Sequence, residues 1–353
     1  MIDPHVHLRD WNQADKETLV HGFSVAWHVG ISGVFEMPNT DPPLTGRAAL
    51  LRRIADADRA RDSLDVPIFH GIYAGITANP RQIEEIVRCR EELFPRVVGF
   101  KLFAGHSTGN MGVISATEQQ LVWNTLASLD YRGVVAVHAE SEELLRPTQW
   151  NINYPFTHGA ARPVAAEEHS VRRQFALAEA AGFRGSVHIC HVTTPTVLDI
   201  IVATRPSVGF SIRAGVTPHH LLLNEDAALR SAVPEWKVNP PLRNEATRRN
   251  LWERLQAGDV DWVESDHAPH TWRDKQAGAS GVPGLPAFRM LRDLLREHGT
   301  AEEVERLTHG AVLEAFAIPD THIPRNPRAE SRWDYATTAG EYPWDPYRPP
   351  AER

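Results

Sequence analysis

The fold class this sequence predicts is an α/β chain closed as a (β/α)8 TIM barrel, and three observations predict it. Eight short apolar, β-branched runs recur from one end of the chain to the other. Helical patterns fill the intervals between them. The length of 353 residues suits one large barrel or two smaller domains, and the single-strand, single-helix alternation favours the barrel.

The candidate strands are residues 2–6, 32–37 (Ser-Gly-Val-Phe-Glu-Met), 66–73, 97–103 (Val-Val-Gly-Phe-Lys-Leu-Phe), 133–138, 186–191, 207–213 and 260–265. Helical patterns lie at 46–61, 80–93, 115–129, 164–181, 195–204 and 244–257, and Ser115 with Glu118 reads as a capping box. Residues 271–284 read as a loop. After about residue 320 the chain turns rich in Pro, Arg, Trp and Tyr. The barrel is therefore expected over 1–323, and 324–353 as an irregular tail packed on it or partly disordered.

Composition narrows the function classes. With 42% hydrophobic and 23% charged residues, the chain is ordinary for a globular protein. A net charge of −8, without a long basic run, argues against nucleic acid as a partner. No stretch reaches the roughly 18–20 apolar residues of a membrane span, and the N-terminus lacks signal-peptide character. Cys89 and Cys190 form no CxxC pair and suggest a reducing compartment, so a cytoplasmic protein is expected.

In such barrels the chemistry sits at the C-terminal ends of the strands. Those ends carry His5 and His7, then Asn39 in Met-Pro-Asn-Thr, then Lys101, His138, His191 and Asp266. His5 and His7 are two apart and share one face of an extended strand, with Arg9 next on the same side. Imidazoles with a carboxylate suit Zn²⁺ with an open position. Lys101 ends an apolar strand and is costly to bury as an ammonium. It either pairs with a carboxylate such as Asp266 or is carboxylated by CO₂ into an anion that bridges two metal ions. Cys190 reads better as a small core residue than as a further metal ligand. His219 and His220 read as supporting residues with backbone bonds rather than as ligands.

Taken together, His-x-His-Leu-Arg-Asp, Met-Pro-Asn-Thr, Gly-Phe-Lys-Leu-Phe, Val-His-Ala-Glu, His-Ile-Cys-His-Val, Thr-Pro-His-His-Leu, Asn-Pro-Pro-Leu-Arg, Ser-Asp-His-Ala-Pro-His-Thr and Gly-x-Pro-Gly-Leu resemble the dihydroorotases of the amidohydrolase superfamily, in order from about residue 2 to 317. The resemblance implies a barrel of the metal-dependent hydrolase type with two Zn²⁺ ions per chain. His5, His7 and Asp266 would hold one ion, and His138 and His191 the other; N6-carboxylated Lys101 and a hydroxide would bridge them. Asp266 would be the catalytic acid/base, and Arg9, Asn39 and His270 would bind the substrate carboxylate. Thr108, in a glycine-rich loop that could close as a lid, and Asn239 would also face substrate. The implied reaction is the reversible cyclisation of N-carbamoyl-L-aspartate to L-dihydroorotate in pyrimidine biosynthesis, by a homodimer.

Two rival readings remain at this stage. One is a related hydantoinase- or dihydropyrimidinase-like cyclic amidohydrolase, which Arg9 argues against because such enzymes generally lack an arginine there. The other is a non-catalytic scaffold for a pathway partner such as aspartate transcarbamoylase, which the complete ligand set argues against. Two departures from the family pattern stand out. The chain starts at the barrel, so the small β-sandwich of many relatives is expected to be absent or vestigial. Trp11-Asn12 also stands where many relatives have Pro-Gly.

Overall fold

The computed structural model describes residues 1–106, 111–229, 233–338 and 340–347. Eight parallel strands form one sheet in sequence order: β1 (Ile2–Val6), β2 (Gly33–Glu36), β3 (Phe69–Gly75), β4 (Val97–Phe103), β5 (Val134–His138), β6 (Ser186–Ile189), β7 (Ser211–Val216) and β8 (Trp262–Val263). A parallel bridge between Val6 and His267, with His7 N donating to His267 O at 2.7 Å, brings the last strand's extension back to the first. The predicted (β/α)8 barrel is therefore observed.

Strand alternation sorts the core into two layers. On β5, Val135 and Val137 pack outward among the helices, whereas Val134 and Ala136 face the barrel interior and put His138 on the inner side at the rim. Phe316 plugs the opposite end, its ring 5.0 Å from Phe35 and 6.0 Å from both Tyr73 and Trp262. The barrel is thus filled by aromatic side chains at its base.

On β4 the register against β3 skips one residue, Ile72 pairing with Val97 and Tyr73 with Gly99. Val98 faces inward, and after the skip Phe100 and Leu102 face outward. This bulge turns Lys101 toward the interior; continuing the earlier alternation would have put Phe100 there.

The six predicted helices are present as Arg47–Leu64, Pro80–Leu93, Ala116–Ser128, Val164–Ala180, Pro195–Thr204 and Glu245–Gln256, the third with its Ser115–Glu118 capping box. Two substantial helices were not foreseen, Leu19–His28 and Leu285–His298. The predicted loop 271–284 is partly helical: Trp272–Gln276 forms a turn closed by a Thr271–Asp274 capping box. β3 and β7 each begin later than predicted, at Phe69 and Ser211.

Among the described residues, the chain beyond 323 makes no further strand and returns to the barrel. Asn326 Nδ2 donates to the Trp27 and Ile31 carbonyls, and Arg289 holds the Arg328 and Ser331 carbonyls. Farther on, Trp344 Nε1 donates to His270 O at 3.2 Å and Tyr342 Oη to Glu17 Oε1 at 3.0 Å. Among the described residues no helix is long and apolar enough to cross a membrane.

Candidate metal and carboxylate site

Nine residues singled out from the sequence line one cavity at the C-terminal rim. His5, His7, Lys101, His138, His191 and Asp266 are the candidate ligands, and Arg9, Asn39 and Asn239 the candidate substrate contacts. His270 lies directly behind Arg9, its Nε2 3.2 Å from Arg9 Nη2. Thr108 lies outside the described residues.

Three of the histidines are oriented by acceptors at strand ends. His5 Nδ1 donates to Glu264 Oε1 at 3.3 Å, His7 Nδ1 to Asn39 Oδ1 at 2.7 Å, and His138 Nε2 to Glu140 Oε2 at 2.8 Å. His7 and His138, donating outward, present their other nitrogen as a lone pair toward the cavity. At His5, burial and Lys101 act to lower the ring, but Asp266, Cys190 and Glu264 outweigh them and raise it to about 10, so that ring holds a proton where a cation would bind. His5 Nε2 and His7 Nε2 converge on Asp266 Oδ1, at 3.3 and 3.0 Å. His138 Nδ1 faces His191 Nε2 at 3.1 Å. The ligand atoms of His5, His7 and Asp266 all lie within 4.8 Å of one another. Inward-facing lone pairs beside a carboxylate fit a divalent cation.

Burial sets the charge states. It depresses His7 to about 4 and takes His191 and His138 below their ordinary range, which favours neutral rings. Burial acts to raise the Asp266 carboxyl, but His5 and His7 outweigh it and hold the group well below the usual carboxylate range.

Lys101 is buried, and its Nζ donates to Cys190 Sγ at 3.1 Å. The Asp266 partner suggested for it is instead engaged by His5 and His7. Burial would raise the Cys190 thiol, yet Lys101 and His188 lower it to about 5. Cys190 belongs to the inner core, as expected, but its sulfur also lies within 4.8 Å of ligand atoms on His5 and Glu264. His220 behaves as expected, bonded to Thr217 Oγ1 and the Pro240 carbonyl.

Arg9 is 2% exposed, and its side-chain hydrogen bonds go to Pro269 O at 3.2 Å and to His270 Nε2. Both partners are neutral: burial, reinforced by the nearby Arg9 charge, lowers His270 to about 2. The neutral ring has one N–H, and Nε2 also lies 2.9 Å from Ser280 O. If Nε2 carries that proton it donates to Ser280 O and cannot accept from Arg9; if Nε2 is bare it accepts from Arg9 Nη2 and leaves the carbonyl unserved. In either case the guanidinium charge has no counter-ion in these contacts, and a buried charge in that state favours an anionic ligand.

The backbone is unusual at the same positions. Arg9, His191 and Asp266 have φ of 52°, 40° and 46°. A left-handed non-glycine residue costs roughly 1–2 kcal/mol, and such strain clusters at functional sites. At His191 the break from extended geometry lets two consecutive side chains turn inward, Cys190 into the inner core and His191 onto the cavity.

Sequence reasoning missed Glu264 and Glu140. Glu264 is fully buried; it joins His5 to His188 and accepts from His191 N at 2.6 Å. Glu140 joins His138 to Arg162. Each stands two residues from a candidate ligand, Asp266 or His138, and that spacing was the available signal.

Fold and site together give a (β/α)8 barrel with a His/Asp cluster and a buried arginine at its C-terminal rim. No protein-family model matches the sequence. The chain is 36% identical over 289 residues to the dihydroorotase of Thermococcus kodakarensis, covering 81% of this chain and 59% of that one. It is 33% identical over 292 residues to the dihydroorotase of Streptomyces coelicolor, covering 81% and 64%. The L-hydantoinase (dihydropyrimidinase) of Arthrobacter aurescens superposes with a TM-score of 0.81 at 23% identity, over 98% of this chain and 79% of that one. The dihydroorotase of Campylobacter jejuni gives 0.67 at 18% identity, over 90% and 83%. This chain is a homologue of the curated dihydroorotases, and it spans about three-fifths of the length of the relatives it matches.

Proposed function

We propose that this chain is a zinc-dependent dihydroorotase, interconverting N-carbamoyl-L-aspartate and L-dihydroorotate for pyrimidine biosynthesis. The observation that carries the proposal is a buried Arg9 whose hydrogen-bond partners among the described residues are neutral, sharing one cavity with a His/Asp cluster. A metal cluster alone suits many hydrolases; a guanidinium without a directly bonded carboxylate selects a substrate bearing one.

His5, His7 and Asp266 would hold one ion and His138 and His191 a second, with carboxylated Lys101 between them. Bound there, divalent cations would acidify water into a nucleophile and polarise the amide carbonyl. The remaining work falls to the protein's own groups. Arg9, supported by His270, would fix the ring carboxylate and so set which face of the amide is presented. Asn39 would hold the His7 tautomer while bordering the substrate. Asp266 is ionised at neutral pH, so its carboxylate can take the proton released on attack and return it to the leaving nitrogen. In the reverse direction it would deprotonate the ureido nitrogen during ring closure.

The test is a steady-state assay with zinc against dihydroorotate, hydantoin, dihydrouracil and allantoin. Preferred turnover of dihydroorotate is expected. Preference for an uncarboxylated ring would replace the proposal with the hydantoinase-like reading, and inactivity on all four after zinc and bicarbonate loading would favour the scaffold.

A further inference from the structure

Three consecutive non-glycine residues, Arg9, Asp10 and Trp11, hold left-handed backbone, with φ of 52°, 64° and 52°. A bulky residue such as Trp11 takes that conformation only where its surroundings impose it. Asp10 is tied to the following segment, its N donating to Glu17 O at 2.9 Å and its Oδ2 accepting from Leu19 N at 3.1 Å, while Arg9 and Trp11 on either side of it meet the helix Arg47–Leu64. Arg53 on that helix is fully buried and grips Glu36 of β2 with two nitrogens, Nε at 2.9 Å from Oε2 and Nη2 on Oε1. Glu36 is held from its other side by His70 Nε2 at 2.9 Å. The same Arg53 Nη2 donates to the backbone carbonyl of Arg9 at 2.9 Å. One turn of chain away, the Trp11 ring lies under Arg52 and Arg53, at 4.7 and 4.9 Å, and its Nε1 donates to Asp56 Oδ2 at 2.8 Å.

We infer that Arg53 is a positioning residue for substrate selection: locked by Glu36, it holds the Arg9 carbonyl on the outside of the barrel so that the Arg9 guanidinium points into the cavity. Among the described residues the guanidinium hydrogen-bonds to Pro269 O and His270. Its direction is therefore set largely by the Arg9 backbone, whose left-handed conformation the Arg53 bond and the Trp11 stack maintain. Trp11 is the second tether, reaching the same helix from two residues farther along. The inference rests on the proposed carboxylate role of Arg9.

The experiment is a double-mutant cycle on the zinc-loaded enzyme with Arg9→Met, Arg53→Lys and the double variant, measuring KM and kcat for L-dihydroorotate and, by calorimetry, binding of orotate. Arg53→Lys keeps the charge facing Glu36 but loses the fork. It is expected to raise KM by about tenfold, the scale of one charge-assisted hydrogen bond, with kcat changed less than threefold and the zinc content unchanged. In the double variant the loss should be no greater than in Arg9→Met alone, because Arg53 acts through Arg9. Additive losses, or a fall in kcat with KM unchanged, would overturn the inference. If Arg53→Lys fails to fold, Trp11→Leu, which cuts the second tether, is expected to give the same KM-selective, non-additive loss, and an unchanged KM there overturns it. A wild type that neither binds orotate nor turns over dihydroorotate overturns the proposed function and this inference with it. A wild type that does both, beside position-53 and position-11 variants that match it, overturns this inference alone.

Discussion

His138 Nδ1 and His191 Nε2 face each other across 3.1 Å at the rim of the barrel. The His138 proton is committed to Glu140 on the other side of the ring, and burial takes both rings below their ordinary range, which favours the neutral forms. Two electron pairs set against each other repel unless a proton or a cation lies between them. Chelation should therefore destabilise the fold as well as stop turnover. We expect a thermal midpoint lower by several degrees after treatment with a strong chelator, restored by zinc, since a ligand that binds only the folded state stabilises it by mass action. Metal analysis should find close to two zinc ions per chain, falling toward one in His138→Asn. An unshifted midpoint in the stripped protein would refute the arrangement.

Arg9→Met should raise KM for dihydroorotate by about 10- to 150-fold, the range for losing a hydrogen bond to a charged group, roughly 1.5–3 kcal/mol. Binding of an uncarboxylated hydantoin should change far less. Equal losses on both rings, measured side by side, would remove Arg9 from carboxylate recognition.

The Glu36–Arg53 pair makes a prediction about acid stability. Burial acts to raise the Glu36 carboxyl, but Arg53 and His70 outweigh it and lower it from 4.5 to about 2. A depressed carboxylate contributes stability that is fully present above its unfolded value of about 4.5 and is lost as pH falls through about 2. The contribution is about 3 kcal/mol at neutral pH, at about 1.4 kcal/mol per unit. In urea titrations at pH 7, 5, 4 and 3, the gap between wild type and Glu36→Gln should narrow steadily below pH 4.5. A gap independent of pH would show that Glu36 is not ionised in the folded protein.

Strand parity made much of this site legible in the sequence. His5 and His7 share a face because they are two apart, and His138 follows Val134 and Ala136 onto the inner side of β5. Lys101 could be placed at a strand end, but its inward direction depends on a bulge, and bulges leave no mark in hydrophobic alternation. Its contact with Cys190 was equally hidden, because the His191 backbone leaves the strand geometry. β7 was set too early because Ala214 and Gly215 carry little strand character. The small side is needed there: a Cβ on Gly215 would sit 2.5 Å from the Glu264 carboxylate. The short helix at Trp272–Gln276 was overlooked although Thr271 and Asp274 stood at capping-box spacing.

That close approach gives a further prediction. Gly215→Ala should push Glu264 away from His5, His188 and the His191 amide at once. Overpacking of a filled interior costs typically 1–3 kcal/mol, and the displaced carboxylate would also release His5 from its set tautomer. We expect a lower urea midpoint together with reduced zinc retention during dialysis. Loss of stability with zinc retention unchanged would limit Glu264 to packing.

Asp266→Asn separates proton transfer from binding. Asparagine keeps the shape but cannot take a proton, so kcat should fall by about 10²–10⁴, the usual worth of a positioned acid/base. Arg9, with His270 behind it, keeps its own hydrogen bonds in this variant, so under the proposed carboxylate role orotate should still bind measurably. Asp266 is also a candidate ligand, and a loss of metal would lower kcat too. The zinc content of Asp266→Asn must therefore be measured on the same sample: near-normal zinc with kcat lost assigns the proton to Asp266, whereas near-normal zinc with kcat retained removes it from that role.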